Sequence, residues 1–243
     1  MLRIDRCLDT GSHGWQTRRM ELGGAYTADR AAALSGVPKS TVHYWARRNY
    51  LVPSVSAERV KLWSFADLMA LRTIYWLRQP KSATDGREIP RSKMRAVKQA
   101  ITKLRELDLA MFEGFEGARP NIVVSLDGDV LLDRIGEPLE TVDGQLIARL
   151  LIDVLAPFST LEGLRGPDLS APRPHLRIVP RKLSGAPHVV DTRVETQAIQ
   201  ALAARGYHVD KIVALYPFLT SEQVRESIDL ETQLARNIEA RAA

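Results

Sequence analysis

The chain has 243 residues, 45% of them hydrophobic and 26% charged, with a formal net charge of +5, which is enough sequence for two domains with a core each. A single cysteine, Cys7, excludes a disulfide framework and a thiolate metal cluster, no run of 18 apolar residues offers a membrane span, and residues 1–24 lack the apolar core of a signal peptide, so a cytoplasmic location is expected. The charge is unevenly spread: residues 1–120 hold 21 Lys and Arg against 12 Asp and Glu, residues 121–243 hold 13 against 17, the balance of a nucleic-acid-binding half joined to a half with another partner.

Residues 1–24 mix Gly, Ser and charges without a period and read as a flexible tail, with Met20 a possible second start. Thr27 then opens an Ala-rich helix that stops at Ser35-Gly36-Val37, and a second helix follows at once from Pro38 to Arg48. Two short helices about a glycine turn are a helix-turn-helix. In the second, Val42, Trp45 and Ala46 fall at i, i+3 and i+4 and are expected inside. Lys39, Ser40, Thr41, His43, Tyr44, Arg47 and Arg48 are left for DNA: cations for phosphates, hydroxyl and ring donors for base edges. A solvated basic helical hairpin is the bland alternative.

The run Thr41-Val42-His43-Tyr44-Trp45-Ala46-Arg47-Arg48-Asn49-Tyr50-Leu51-Val52-Pro53 resembles the recognition segment of MerR-type regulators. It departs from that pattern at His43, where Arg is usual, at Trp45 for Tyr, and at Asn49 for the helix-ending Gly. Asn tolerates the left-handed conformation a helix end needs. Leu51-Val52 and Lys61-Leu62-Trp63, flanking a polar turn at 54–59, resemble the wing that follows. The resemblance implies Arg59 and Lys61 at the wing tip or its return strand.

Ser64-Phe65-Ala66-Asp67 is a capping-box opening to a helix whose Leu68, Ala70, Leu71, Ile74, Tyr75 and Leu77 make an apolar surface wide enough to need neighbours. A polar loop, 80–90, precedes a helix from about Ser92 with Met94, Val97, Ile101 and Leu104 on one stripe. Past Gly114 the period changes. Residues 122–126 and 129–132 about Asp127-Gly128 read as a β-hairpin. Asp127, Asp129 and Asp133 are turn chemistry rather than a calcium loop, which would need further spaced ligands and a closing Glu. The apolar run from 144 to 155 is expected as a buried helix stopped by Pro157, serving dimerisation. The Pro- and Gly-rich stretch 163–175 has linker composition.

In the C-terminal part, Ile178-Val179-Pro180 and His188–Val194 are expected as strands about a turn at 182–187. Helices follow at 198–205, ended by Gly206, at 209–215, broken by Tyr216-Pro217, and from a capping box at Thr220-Ser221-Glu222-Gln223, with Val224, Ile228, Leu234 and Ile238 inward. The expected class is α+β, mainly α, divided into a tail (1–24), a winged helix-turn-helix domain (25–110), a central hairpin and helix (111–162), a linker (163–175) and a small helical domain (176–243).

The order Gly185-x-Pro187, Thr192-Arg193-Val194, Gly206-Tyr207, Leu215-Tyr216-Pro217 and Thr220-x-x-x-Val224 resembles a small domain common in bacterial antitoxins. Together with the MerR-like start, the chain resembles a long VapB-type antitoxin. That implies a PIN-like, Mg²⁺-dependent ribonuclease toxin as partner, repression of the shared operon through operator double-stranded DNA, and a homodimer or larger toxin–antitoxin hetero-oligomer. Arg225, Arg236 and Arg241 are then candidates for the toxin's carboxylate cluster, which attracts guanidinium groups. No catalytic constellation stands out. His13, His43, His175, His188 and His208 are scattered without ligand spacing, and no Gly-rich loop joins a strand to a helix. Neither enzyme activity nor a cofactor nor a metal is expected. A stand-alone MerR-like regulator sensing a small molecule with its C-terminal half is the alternative, and a chromosome- or partner-binding adaptor a third.

Overall fold

The computed structural model describes residues 23–79, 81–82, 88–93, 95, 97, 121–124, 130–133, 150–153, 155–159 and 165–239. The fold is α+β. Helices α1 (Ala28–Ser35), α2 (Lys39–Arg47) and α3 (Phe65–Leu77) come first. Thr27 caps α1 by accepting the Arg30 N–H at 3.3 Å, and Gly36 ends it at φ 71°, a left-handed conformation that glycine reaches without strain. Asn49 takes φ 53° after α2, as its place in the recognition segment foretells. Ser64 and Asp67 form a reciprocal capping box on α3. Every apolar position expected inside α3 is buried, and so are Val42, Trp45 and Ala46 of α2.

Two-residue pairs β1 (Lys81–Ser82) with β2 (Glu88–Ile89), and β6 (Phe158–Ser159) with β7 (Arg165–Gly166), flank a three-stranded antiparallel sheet in the order β4 (Val130–Asp133), β3 (Asn121–Val124), β5 (Leu150–Asp153). The hairpin of β3 and β4 pairs Val124 with Val130; the Asp127-Gly128 turn lies outside the described residues. One expectation fails here. Residues 150–153 are not helix but strand, with Leu151 opposite Val123. A short continuous apolar run has no period that separates a buried helix from a strand, and pairing with β3 decided between them. Of the helix expected from Ser92, Val97 is buried with its N–H on the Lys93 carbonyl at 3.1 Å; Met94, Ile101 and Leu104 lie outside the described residues.

The C-terminal part holds β8 (Leu176–Arg177), a 3-10 turn (Leu183–Gly185), β9 (His188–Val189), α4 (Thr196–Ala204), α5 (Val209–Leu215) and α6 (Ser221–Glu239). Its strand pair sits earlier than expected: Leu176 pairs with Val189 and Arg177 with His188, while Ile178–Pro180 are not strand. The second strand ends at Val189, short of the expected Val194. Asp191 turns the chain at φ 58°, and the Thr192 hydroxyl donates to the Val189 carbonyl at 3.0 Å while accepting the Val194 N–H at 3.1 Å. Such local hydroxyl bonds compete with a ladder. Gly206 closes α4 at φ 84°, and Thr220 and Gln223 cap α6 reciprocally. Val224, Leu230 and Leu234 of α6 are buried, with Ile228 and Ile238 half-buried.

The two ends of the chain pack together through α1 and α6. Arg30 donates to both carboxylate oxygens of Glu231 at 2.7 Å, and the Thr196 hydroxyl also donates to that carboxylate. Asn237 donates to the Ala33 carbonyl at 3.1 Å. The Tyr26 phenol, buried, donates to the Gly185 carbonyl at 2.8 Å, and its backbone exchanges hydrogen bonds with Trp63. Gly185 has φ 79°, and a Cβ there would run into the Tyr26 ring. Within the stretch of linker composition, Leu169 and Ser170 are buried and the Ile178 N–H reaches the Ser170 carbonyl at 2.9 Å.

Candidate nucleic-acid interface

Helix α2 offers its polar face because its apolar face is spent on the core. Ser40, Tyr44, Arg47 and Arg48 are exposed, and Thr41 and His43 are half-buried beside them. The Arg48 guanidinium lies over the Tyr44 ring, 5.8 Å from its centroid. Tyr44 in turn leans on Tyr50 at 6.1 Å between ring centres. These contacts hold the phenol at the surface rather than letting it fold back. Lys39 differs from its neighbours in that its ammonium pairs with Asp29 at 2.7 Å. Both groups are well exposed, so a phosphate can compete for Lys39 at little cost.

The wing is a short hairpin. Ser56 and Leu62 exchange backbone hydrogen bonds at 3.1 and 2.9 Å, which leaves 57–61 as the tip. Arg59 is exposed there and Lys61 half-buried on the return. Leu51 is in the core, however, and Val52 and Val55 are exposed, so pairing starts later than Leu51-Val52. Asp67 aims the wing: its buried carboxylate accepts from the Ser54 N–H at 2.8 Å, the Ser54 hydroxyl at 2.7 Å and the Ser64 N–H at 3.0 Å. A capping box thus doubles as the clasp between the wing's first limb and α3.

The support under α2 centres on Arg72, which sequence reasoning missed. The residue is 1% exposed. Its guanidinium donates to the carbonyls of Leu34 at 2.8 Å and Ser35 at 3.4 Å at the end of α1, to Leu155 at 3.2 Å and Ala156 at 2.7 Å, and to Pro167 at 2.7 Å. A positive charge at the carbonyl end of α1 also meets the negative pole of that helix. The helix-turn-helix turn is thereby tied to both sides of the β6–β7 pair. The available signal was a lone Arg inside the otherwise apolar second half of α3. Tyr26 and the Arg30–Glu231 pair gave no such signal, since their partners lie 159 and 201 residues away.

The candidate toxin-facing arginines separate. Arg225 and Arg236 are exposed on α6, and a spacing of eleven residues, three turns plus about 20°, puts them on one face. Arg241 lies outside the described residues. Among the described residues no helix is long and apolar enough to cross a membrane.

Residues 26–84 match the family described as MerR HTH family regulatory protein, and residues 177–229 match the family described as protein of unknown function (DUF433). No curated protein and no solved structure matches the chain. The chain therefore carries a MerR-type helix-turn-helix, the reading head of a DNA-binding transcription regulator, joined to a DUF433 domain.

Proposed function

We propose that this protein is the antitoxin of a type II toxin–antitoxin module: it represses its own operon through α2 and the wing, and its C-terminal half binds and silences a PIN-like ribonuclease. The exposed set Ser40, Tyr44, Arg47 and Arg48 on a helix whose other face is locked in the core carries the DNA half of the reading. A two-fold dimer would present two such helices to the halves of an inverted repeat. The toxin half rests on the resemblance of 176–243 to antitoxin domains. It is supported by Arg225 and Arg236 on one face, and by Leu215 at the end of α5 and Phe218 in the turn before α6, 53% and 64% exposed. Ser221 stands about 15 Å along α6 from Glu231, which keeps that apolar end away from α1 and leaves it open while α2 reads DNA.

A stand-alone regulator that senses a small molecule is the second reading. It is favoured by an open cleft of about 670 Å³ between Phe158, Pro167 and α6, walled by Arg173, Asp229, Gln233 and Arg236. The test is the full chain with the product of the adjacent short reading frame. Co-purification, loss of RNA cleavage, and specific retention of DNA from upstream of the gene support the antitoxin reading. Specific DNA binding without any effect on a neighbouring nuclease supports the second reading and sinks the first.

A further inference from the structure

His175, Glu222 and Glu226 bring one ligand atom each to within 4.8 Å of one another. They come from two elements. His175 immediately precedes β8, and its backbone is pinned on both sides: its N–H donates to Glu226 Oε2 at 2.9 Å and its carbonyl accepts the Val190 N–H at 2.9 Å. Its Nδ1 lies 2.9 Å from Glu226 Oε1. Glu222 and Glu226 stand one turn apart on α6, and so share a face. Glu226 is mostly buried, its side chain 13% exposed. Glu222 is exposed, and its carboxylate makes no hydrogen bond or ion pair to any described residue. Two carboxylates converging at i and i+4 repel each other mildly on a bare helix. A divalent cation shared by the imidazole and both carboxylates would turn that repulsion into attraction.

The geometry points to a divalent transition-metal site formed by His175, Glu222 and Glu226, clasping the start of β8 to the first turns of α6. One imidazole nitrogen and two carboxylates suit Zn²⁺ or a similar borderline ion; imidazole disfavours Ca²⁺ and Mg²⁺, and the absence of thiolates from the set disfavours Cu⁺. An ion with ligands at about 2.1 Å spans at most about 4.2 Å between them. Nδ1 and Oε1 already lie inside that span, so only the exposed Glu222 side chain has to swing inward. The ion takes the place of the hydrogen that joins Nδ1 to Oε1, which passes to Nε2 or to solvent. Three protein ligands on a partly exposed site leave the remaining positions to water. The ligand spacing is invisible in the sequence because His175 precedes Glu222 by most of the DUF433 match.

The experiment uses the full chain stripped with a chelator and titrated with ZnCl₂ by calorimetry, followed by thermal melts. The wild type should take up one more equivalent of Zn²⁺ per chain than Glu222→Gln, and saturating Zn²⁺ should raise its Tm by more than it raises that of Glu222→Gln. Glu222 is exposed and makes no hydrogen bond or ion pair to any described residue, and Gln is a good helix former, so this variant keeps the fold. His175→Ala should lose the same equivalent. Equal stoichiometry and equal Tm shifts in the wild type and Glu222→Gln would overturn the assignment and leave His175–Glu226 as an ion pair only. The comparison subtracts uptake by Cys7, His13 or any other group common to both proteins.

Discussion

Glu231→Ala should destabilise the whole protein by about 3 kcal/mol, the lower end of the range for breaking a buried ion pair. The Arg30 and Glu231 side chains are 14% and 6% exposed and meet through two contacts of 2.7 Å. The substitution strands the Arg30 guanidinium in a site that solvent barely reaches, and it leaves the Thr196 hydroxyl only the longer bond, 3.3 Å, to the Pro187 carbonyl. The residual exposure of Arg30 is the reason for the lower end. Arg30→Ala should cost a comparable amount, but the double variant clearly less than the sum, since each single change leaves the other partner unpaired. Urea denaturation of the full chain, followed by circular dichroism, gives all three values. The pair joins α1 to α6, so unfolding of the two ends should remain one transition in the wild type. A loss under about 1 kcal/mol for Glu231→Ala, the size of an exposed pair, or an additive cycle, would refute the claim that this contact unites the reading head with the C-terminal helices.

Arg72→Met should destabilise by several kcal/mol in the same denaturation assay, because buried carbonyls left without a donor cost about 1–3 kcal/mol each; Arg72→Lys should recover only part of it, having lost the planar fork. In DNA retention assays, Arg47→Ala should weaken binding to all sequences and flatten its salt dependence, whereas Tyr44→Ala should mainly narrow the gap between operator and scrambled DNA; identical salt slopes for Arg47→Ala and wild type would count against a phosphate contact. Burial pushes the His188 imidazole below its usual range. The unfolded chain then binds a proton that the folded chain resists, so stability should fall as pH drops below about 6.5, and this loss should shrink in His188→Gln when melts at pH 7.5 and 5.5 are compared. Gly185→Ala should be more damaging than Tyr26→Phe, since the first adds a clash at positive φ and the second removes one hydrogen bond of about 1 kcal/mol; equal Tm losses would contradict the close approach seen there.

Local chemistry was legible wherever the partners lie within a few residues. Thr27, Gly36 and Asn49 bound α1 and α2, Ser64 with Asp67 opens α3, and Thr220 with Gln223 opens α6, each by a hydrogen bond or a left-handed backbone the residue type announces. The inward positions of α2 followed from the 3.6-residue period alone, and so did its exposed face, because what does not face the core faces the partner. Helix α3, by contrast, is buried on nearly every side, with Met69, Arg72 and Thr73 inside as well. Where two structures satisfy the same local pattern, sequence had no means to choose: Leu150–Asp153 is as apolar as a buried helix and became the third strand only by pairing with β3. The second strand of the C-terminal pair was overextended for the opposite reason, as the Thr192 hydroxyl and the turn at Asp191 satisfy the backbone where a ladder was expected. The tertiary structure alone decided what crosses the chain: Arg72 on five carbonyls, Tyr26 on Gly185, and Arg30 on Glu231. Residue types set how much each of these groups must be paired once buried, but only the tertiary packing of distant segments determines with whom.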